Sequence, residues 1–412
     1  MLSGKRTHRR SMAGMAAAIV LGGLMVGAAG CSDSDDTTTP PPPPPPPPFE
    51  GNVLLDSVLV DQNYMHAHNS TSTGRTKMLV TVNKATQPYA GMTGVTDLYL
   101  LDADKMAQGE VSKILGPVQI GSTATTPMNV VFRSAWTADD SKIVVAGKDR
   151  LWVLNAATLA PLNGTDGDPG LLAGSAGTYY ENHDALPTTD GMYAILTLRT
   201  KPHVDADATK LDGELKLYDL ANGKVVGAGV SVCNSCHASM LGANRNATLC
   251  GLDGKVEKQA DGKYTGTVYV PGHGGHIAKV PLTIDPSNTT NPITLGTLTT
   301  ISISTSKFPS THATAANTSQ YKLHDVRLDG NTLYWSTFNT DANGKVHYGK
   351  VDLTTGAVTD KAAIDMDPAA TLPAAVVGGG TPNLYCGSGQ SATAYMPITM
   401  THKMYVTVIP KF

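Results

Sequence analysis

The stretch His183–Leu198, HDALPTTDGMYAILTL, opens on a polar histidine-aspartate pair, passes a Thr-Asp-Gly turn and runs into a strongly apolar strand. It continues after a break as Gly213–Val226, GELKLYDLANGKVV, a second strand, an Asn-Gly turn and a third. The same plan recurs at His324–Phe338, HDVRLDGNTLYWSTF, with Lys345–Gly356, and at Ser134–Ala146, SAWTADDSKIVVA, with Arg150–Leu159. Short strands bounded by Gly, Asn and Asp turns, repeated without a long amphipathic helix, read as all-β. Units of this length that repeat themselves favour propeller blades over a large sandwich. The expected fold is a single β-propeller of six or seven blades over residues 51–412.

The repeat also carries a register. His183 stands ten residues before Tyr193, His68 ten before Met78, His237 ten before Ala247, and His324 nine or ten before the LYWSTF strand. Arg133 holds the equivalent place before KIVVA, and Tyr385 and Cys386 hold it in the last unit. Units therefore start near 68, 133, 183, 237, 324 and 385, and the 87 residues from His237 to His324 leave room for one more. Asn52–Asp61 and Met404–Pro410 are apolar runs at the two ends and are expected to pair, leaving the ring no free edge.

In a propeller, residues at one register converge on one axis. Four imidazoles there would suit zinc or copper, and zinc accepts water in place of one ligand. His68, His183, His237 and His324 are accordingly the candidate ligands, against the plainer role of capping strand ends. His66 adds a second imidazole on the face of His68 if the segment is extended, and His273 and His276, in GHGGH, form a second candidate in a tight hairpin. Asn163–Gly170, NGTDGDPG, has the oxygen ligands of a calcium loop without a bidentate glutamate, so a plain turn is the preferred reading. His203, Asp205 and Asp207 lie in an acidic hairpin loop whose default role is solvation.

Two alternatives come from Cys233, Cys236 and His237, which stand in the CxxCH spacing of c-type haem attachment. Haem would take the two thiols as thioether anchors and His237 as proximal ligand, with Met240 or His276 as the distal one. A monohaem electron-transfer protein with a redox partner is therefore the alternative to metal binding, and a non-catalytic adhesion or assembly scaffold is the third reading. No nucleophile elbow, phosphate-cradling loop or hydrolytic carboxylate pair is apparent, which favours a non-enzyme.

The first thirty residues combine Lys5, Arg6, Arg9 and Arg10 with an apolar run ending AAG before Cys31. That is a secretory signal, and its end resembles a lipobox, making Cys31 a lipidation site and the protein a cell-envelope, outer-membrane lipoprotein facing the periplasm or the exterior. Residues 31–50 then form a linker with nine prolines, Pro40 to Pro48, a polyproline spacer of about 28 Å at ~3.1 Å per residue. Removing residues 1–30 takes four of 31 basic residues and none of the 34 acidic ones, leaving 27 against 34 and a net charge of −7. Such a balance excludes a nucleic-acid partner. The membrane is met through the lipid anchor.

His183–Leu198, the DLANGKVVG turn from Asp219, Cys233 to His237 followed by Ala238, and LCGLDGKV from Leu249 resemble consecutive blades of the AztD-type periplasmic zinc metallochaperones. The resemblance covers about 75 of the 412 residues. It implies a β-propeller in the periplasm that passes metal to a transporter's binding protein, with Cys233 and Cys250 as a disulfide beside His237. The sequence departs from that pattern at Cys236, which together with Cys386 could form a second disulfide or lend thiolates to copper(I).

Overall fold

The computed structural model describes residues 44, 47, 49–55, 57–60, 64–87, 90–123, 131–172, 179–200, 213–232, 251–272, 276–303, 323–340, 345–365, 385–386, 393–400 and 403–410. All the strands lie in one unit, Pro47–Phe412. After β1 (Gly51–Leu54) the chain builds sheets from neighbouring strands. The first is β2 (Tyr64–Thr71), β3 (Lys77–Gln87), β4 (Ala90–Asp102) and, past the short helix α1 (Ala103–Ala107), β5 (Lys113–Ile120). The second is β6 (Val131–Trp136), β7 (Lys142–Gly147), β8 (Arg150–Asn155) and β9 (Asp168–Pro169). The third is β10 (Tyr179–Pro187), β11 (Tyr193–Thr200), β12 (Gly213–Asp219) and β13 (Lys224–Ser231). The fourth is β14 (Asp253–Lys258), β15 (Tyr264–Gly272) and β16 (His276–Ile284), with β17 (Ile293–Leu295) and β18 (Thr299–Ser302) sharing the far edge of β16. The fifth is β19 (Leu323–Asp329), β20 (Thr332–Thr340), β21 (Lys345–Asp352) and β22 (Val358–Asp365).

These five antiparallel blades take their strands in chain order. The remaining sheet takes strands from both ends of the chain, β23 (Tyr385–Cys386), β24 (Thr393–Met400) and β25 (Lys403–Pro410) with β1 outermost. The expected pairing of the two ends is present, with Gly51 opposite Val408 and Leu54 opposite Tyr405. The expectation of six or seven blades is corrected to five built from consecutive strands, with the mixed sheet closing the ring between the fifth and the first. The unit starting near 385 has three strands of its own and borrows the fourth from the N-terminus. The residues after His237 that left room for an extra blade contain the long hairpins of the fourth. Inner strands meet in the sequence β2, β6, β10, β14, β19, β23 and back to β2, which closes the ring.

Local turn chemistry explains the repeat. Ser72, Thr137 and Thr188 each donate their backbone N–H to the carbonyl five residues on, at Lys77, Lys142 and Tyr193, at 2.8, 3.0 and 2.8 Å. Each hydroxyl oxygen accepts the N–H of that same residue at 3.1, 3.1 and 3.2 Å. One side chain thus closes the inner hairpin in three blades, and the ten-residue spacing follows. The fifth blade turns in two residues, with Gly330 at φ +57°, so His324 stands eight residues before the start of β20, where His68 and Arg133 stand nine and His183 ten before theirs.

Apolar layers fill the gaps between sheets. On β3, Met78, Val80 and Val82 pack with Val53, Val406 and Val408 of the closing sheet, while Leu79 packs with Ile143 and Val145 of β7. On β7, Val144 and Ala146 turn the other way, toward Ala194 and Leu196 of β11, whose Ile195 joins the layer against the fourth blade. Side chains alternate along a strand, so a strand buried on both faces reads as the continuous apolar run seen in the sequence.

Candidate functional site

The register residues lie on the innermost strands themselves. His68 on β2, Arg133 on β6 and His183 on β10 are all buried, at 1%, 0% and 2% exposure. His183 is the extra residue of a bulge between Asn182 and Asp184, and His324 sits in the matching bulge of β19 between Leu323 and Asp325. A bulge re-aims the residues around it, and here each is followed by a buried aspartate.

At the core of the cluster is Arg133. Its Nη1 donates to Nδ1 of His183 at 2.6 Å, so the neutral imidazole carries its proton on Nε2. Phe132 stacks on the same ring at 4.7 Å between centroids. Arg133 Nε lies 3.4 Å from Asp325 Oδ1 and 3.9 Å from Asp184 Oδ2. Arg327 Nη1 approaches the same two carboxylates at 3.5 and 3.9 Å. Arg133 therefore links the second blade to the third and to the fifth, which is not its ring neighbour.

Backbone groups complete the cluster. Asp184 accepts from Leu252 N and Ala185 N, both at 2.8 Å, and Asp325 accepts from Val326 N at 3.0 Å. Asp253 accepts from Gly254 N and Leu328 N, both at 2.7 Å, and Arg327 donates to the Leu252 and Val326 carbonyls at 3.3 and 3.0 Å. Burial raises the Asp184 carboxyl to about 6, against the pull of Arg327 and Arg133 and with help from the like charge of Asp325. Burial likewise raises Asp253, opposed by Arg327.

Beside this cluster is a cavity of about 280 Å³ reached by five of the inner segments. Ser70, Ser134, Trp136, Thr188, Asp253 and Arg327 are on its wall. Ser70 Oγ and Ser134 Oγ share a hydrogen bond of 2.6 Å, and Trp136 Nε1 donates to Ser70 Oγ at 3.1 Å. Arg75, in the turn after β2 at φ +59°, also lines it. Its guanidinium forms a two-pronged ion pair with Asp329 at the end of β19, one arm at 3.2 Å. The turn is fixed from the other side by Asp140 of the second blade, which accepts from Thr73 N and Gly74 N at 2.6 and 2.8 Å.

Of the four histidines expected to share a register, His68 and His183 are buried on innermost strands and His324 stands in the bulge of β19, and among them the contact seen is that of His183 with Arg133. Arg133 engages Nδ1 of His183, which takes that nitrogen out of reach of a metal. Among the described residues no group of three or more His, Cys, Asp or Glu side chains is arranged to hold a metal ion. His66 and His68 lie two apart on β2, opposite Asn83 and Thr81. His276 begins β16 opposite Gly272, the hairpin expected of GHGGH, and Cys386 is on β23. Cys31, His203, Asp205, Asp207, Cys233, Cys236, His237, Met240, Cys250 and His273 lie outside the described residues, and with them the haem spacing and both disulfides. The innermost strand of the fourth blade is β14, which begins at Asp253; of the strand expected to follow His237 over 247–252, residues 251 and 252 are not in a strand and 247–250 lie outside the described residues.

The NGTDGDPG loop uses its oxygens internally. Asn163 Nδ2 bonds Leu151 O at 2.9 Å and Asp168 at 2.7 Å, Trp152 Nε1 bonds Thr165 O at 2.9 Å, and Arg150 bonds Asp166 O at 3.0 Å. Tyr218 also hydrogen-bonds Asp168. That is the internal bonding of a turn, in line with the preferred reading.

Sequence reasoning missed Asp184, Asp325, Arg327 and Asp253, as well as the Arg75–Asp329 pair. The first two had a visible signal: the dipeptide His-Asp at 183–184 and again at 324–325. The cations and Asp253 had none, because their partners lie in other blades.

No family model matches the chain, and no curated protein matches it. Among solved structures, a protein of unknown function from Dyadobacter fermentans is similar at 9% identity and a TM-score of 0.50, covering 88% of this chain and 99% of that one. The WD40 domain of Pan2 from Neurospora crassa is similar at 8% identity and a TM-score of 0.41, covering 88% and 97%. Likeness at this level of identity concerns architecture alone, and the architecture is a β-propeller.

Proposed function

We propose that the protein is a non-enzymatic binding propeller of the cell envelope, tethered through Cys31 and the proline linker, that holds a small polar molecule in the cavity at the Arg75 end of its inner strands. The observation that carries this reading is the convergence on one cavity of Arg75, Arg327, Asp253 and a set of serine and threonine hydroxyls drawn from several blades. A cavity of about 280 Å³ is just below the usual range of ~300–1,000 Å³ for drug-sized ligands, which points to something smaller. The adjoining ions are satisfied by one another and by backbone N–H groups, so they hold the inner strands in one arrangement and spare the wall from reorganising when a ligand enters. The described part of the wall contains no histidine or cysteine to form a nucleophile–base pair, which favours binding over catalysis.

The test uses the fluorescence of Trp136 on the wall. Titration of the full chain with sugars, sugar acids, amino acids and dicarboxylates should change its emission for one chemical class, and Ala135→Phe, which fills the cavity, should abolish the change. No response to any class would overturn the reading. Metal content and the visible spectrum of the same sample then decide between its rivals. About one zinc or copper per chain would favour metal delivery through His68, His183, His237 and His324, with a transporter's binding protein as partner. A covalent haem band would favour electron transfer on Cys233, Cys236 and His237.

A further inference from the structure

The two kinds of arginine at the cavity differ in what they could release. Arg133 and Arg327, with side chains 0% and 12% exposed, hold carboxylates that are 0–1% exposed. Removing a partner from either would leave a buried charge unpaired, so these pairs do not open for a ligand. The Arg75 and Asp329 side chains are 29% and 18% exposed, and water-accessible ion pairs contribute little to stability. Asp329 is held to Arg75 in the planar, two-pronged geometry with which a guanidinium recognises any carboxylate. It can therefore be exchanged for another carboxylate at small cost.

The rest of the wall has a different chemistry. Asp253 belongs to it, and Asp184 and Asp325 adjoin it through their bonds to Arg327 and Leu252. These three aspartates already engage the two cations Arg133 and Arg327, which leaves that part of the wall without spare positive charge for an anion. What the wall offers instead is hydroxyl groups, among them Ser70, Ser72, Ser134 and Thr189; Ser72 accepts from the backbone and keeps its proton to donate, Ser70 and Ser134 share one bond between them, and Thr188 is engaged within its own hairpin. The complementary molecule carries its carboxylate at one end, for Arg75, and hydroxyls along the rest.

Building on the binding reading above, we infer that the cavity takes a small polyhydroxylated carboxylate, of the sugar-acid class, whose carboxylate replaces that of Asp329 on Arg75. Asp329 then acts as a built-in competitor that occupies the site until a ligand arrives.

The experiment is calorimetric titration of the full chain with D-glucuronate and, as the neutral comparison, D-glucose. Glucuronate should bind at least about tenfold more tightly than glucose. Asp329→Asn, which removes the competitor, should strengthen glucuronate binding about three- to fivefold and leave glucose unchanged. Arg75→Gln should abolish the preference between the two. Because Arg75 and Asp329 are both partly exposed, the variants are expected to fold, and thermal melts verify it. Equal binding of the two sugars, or a preference that survives Arg75→Gln, would overturn this inference while the cavity remains a binding site if Ala135→Phe still blocks. Absence of glucuronate binding to both the wild type and Asp329→Asn would overturn the ligand class, and a response to another class in the Trp136 titration would show that the binding reading itself stands.

Discussion

Replacing Asp184 with asparagine should change how stability depends on pH, and the sign follows from the burial of that carboxyl. Its value is about 6 in the folded protein against 3.8 for the ordinary side chain. The folded state therefore holds the proton more tightly than the unfolded one between those values. Stability contributed by this proton is complete below the unfolded value and is lost as pH rises through about 6. At about 1.4 kcal/mol per pH unit, the gap amounts to on the order of 3 kcal/mol. Asparagine cannot titrate, and it sacrifices one backbone acceptor bond, from Leu252 or Ala185, at a pH-independent cost of about 1 kcal/mol. Asp253, also raised, and Asp139, Asp190, Asp285 and Asp352, which are lowered, titrate in both proteins and cancel in the comparison. Urea unfolding of wild type and Asp184→Asn, followed by circular dichroism between about pH 4 and about pH 7, measures the difference. The advantage of wild type over variant should shrink by on the order of 3 kcal/mol across that window. A difference that stays level within about 0.5 kcal/mol would refute the account of Asp184 as a buried acid held among Arg133, Arg327 and Asp325.

Two further expectations concern what holds the ring together. Arg133→Met should lower stability by about 3–5 kcal/mol in urea titrations, because Asp184 and Asp325 lose one of their two cations while staying buried. Adding Asp325→Asn should recover part of that loss, and a loss under about 1 kcal/mol in the single variant would show that the carboxylates are satisfied without it. Val53→Asp places a charge in the layer with Val406 and Val408, where Val53 is 5% exposed, and should cost at least about 2 kcal/mol and make the chain protease-sensitive. Leu54→Asp, at a side chain 36% exposed, should stay within about 0.5 kcal/mol of wild type; equal effects of the two would argue against the β1–β25 pairing.

The blades were legible because the hairpin chemistry of Ser72, Thr137 and Thr188 is local and fixes a constant spacing from inner strand to next strand. Closure was legible for the same kind of reason, as alternating apolar runs stand at both ends of the chain. The fourth blade was misread. Its innermost strand, DGKVEK, buries Val256 alone while Lys255, Glu257 and Lys258 are exposed, so it carries no apolar signature, and the more apolar ATLCGL drew the assignment. At the site, the common register of His68, Arg133, His183 and His324 could be read, but its meaning could not. Arg133 looks like an interruption of a histidine series when taken as a letter. In space its guanidinium bonds one of those histidines and reaches two aspartates from two other blades, a relation that no spacing along the chain encodes.

The sheet that closes the ring has a temporal consequence. Its outermost strand, β1, is made before any of the five blades, and its partner β25 is made after all of them. Four residue pairs join them. The earliest-made strand must therefore wait, unpaired, while the five blades form behind it, and the circle is completed only when the residues that follow the fifth blade are available. Pairings so distant in sequence are slow to form, so the lifetime of the open circle, with β24 and β25 still exposed at its rim, is the interval in which this chain is most prone to join another copy of itself.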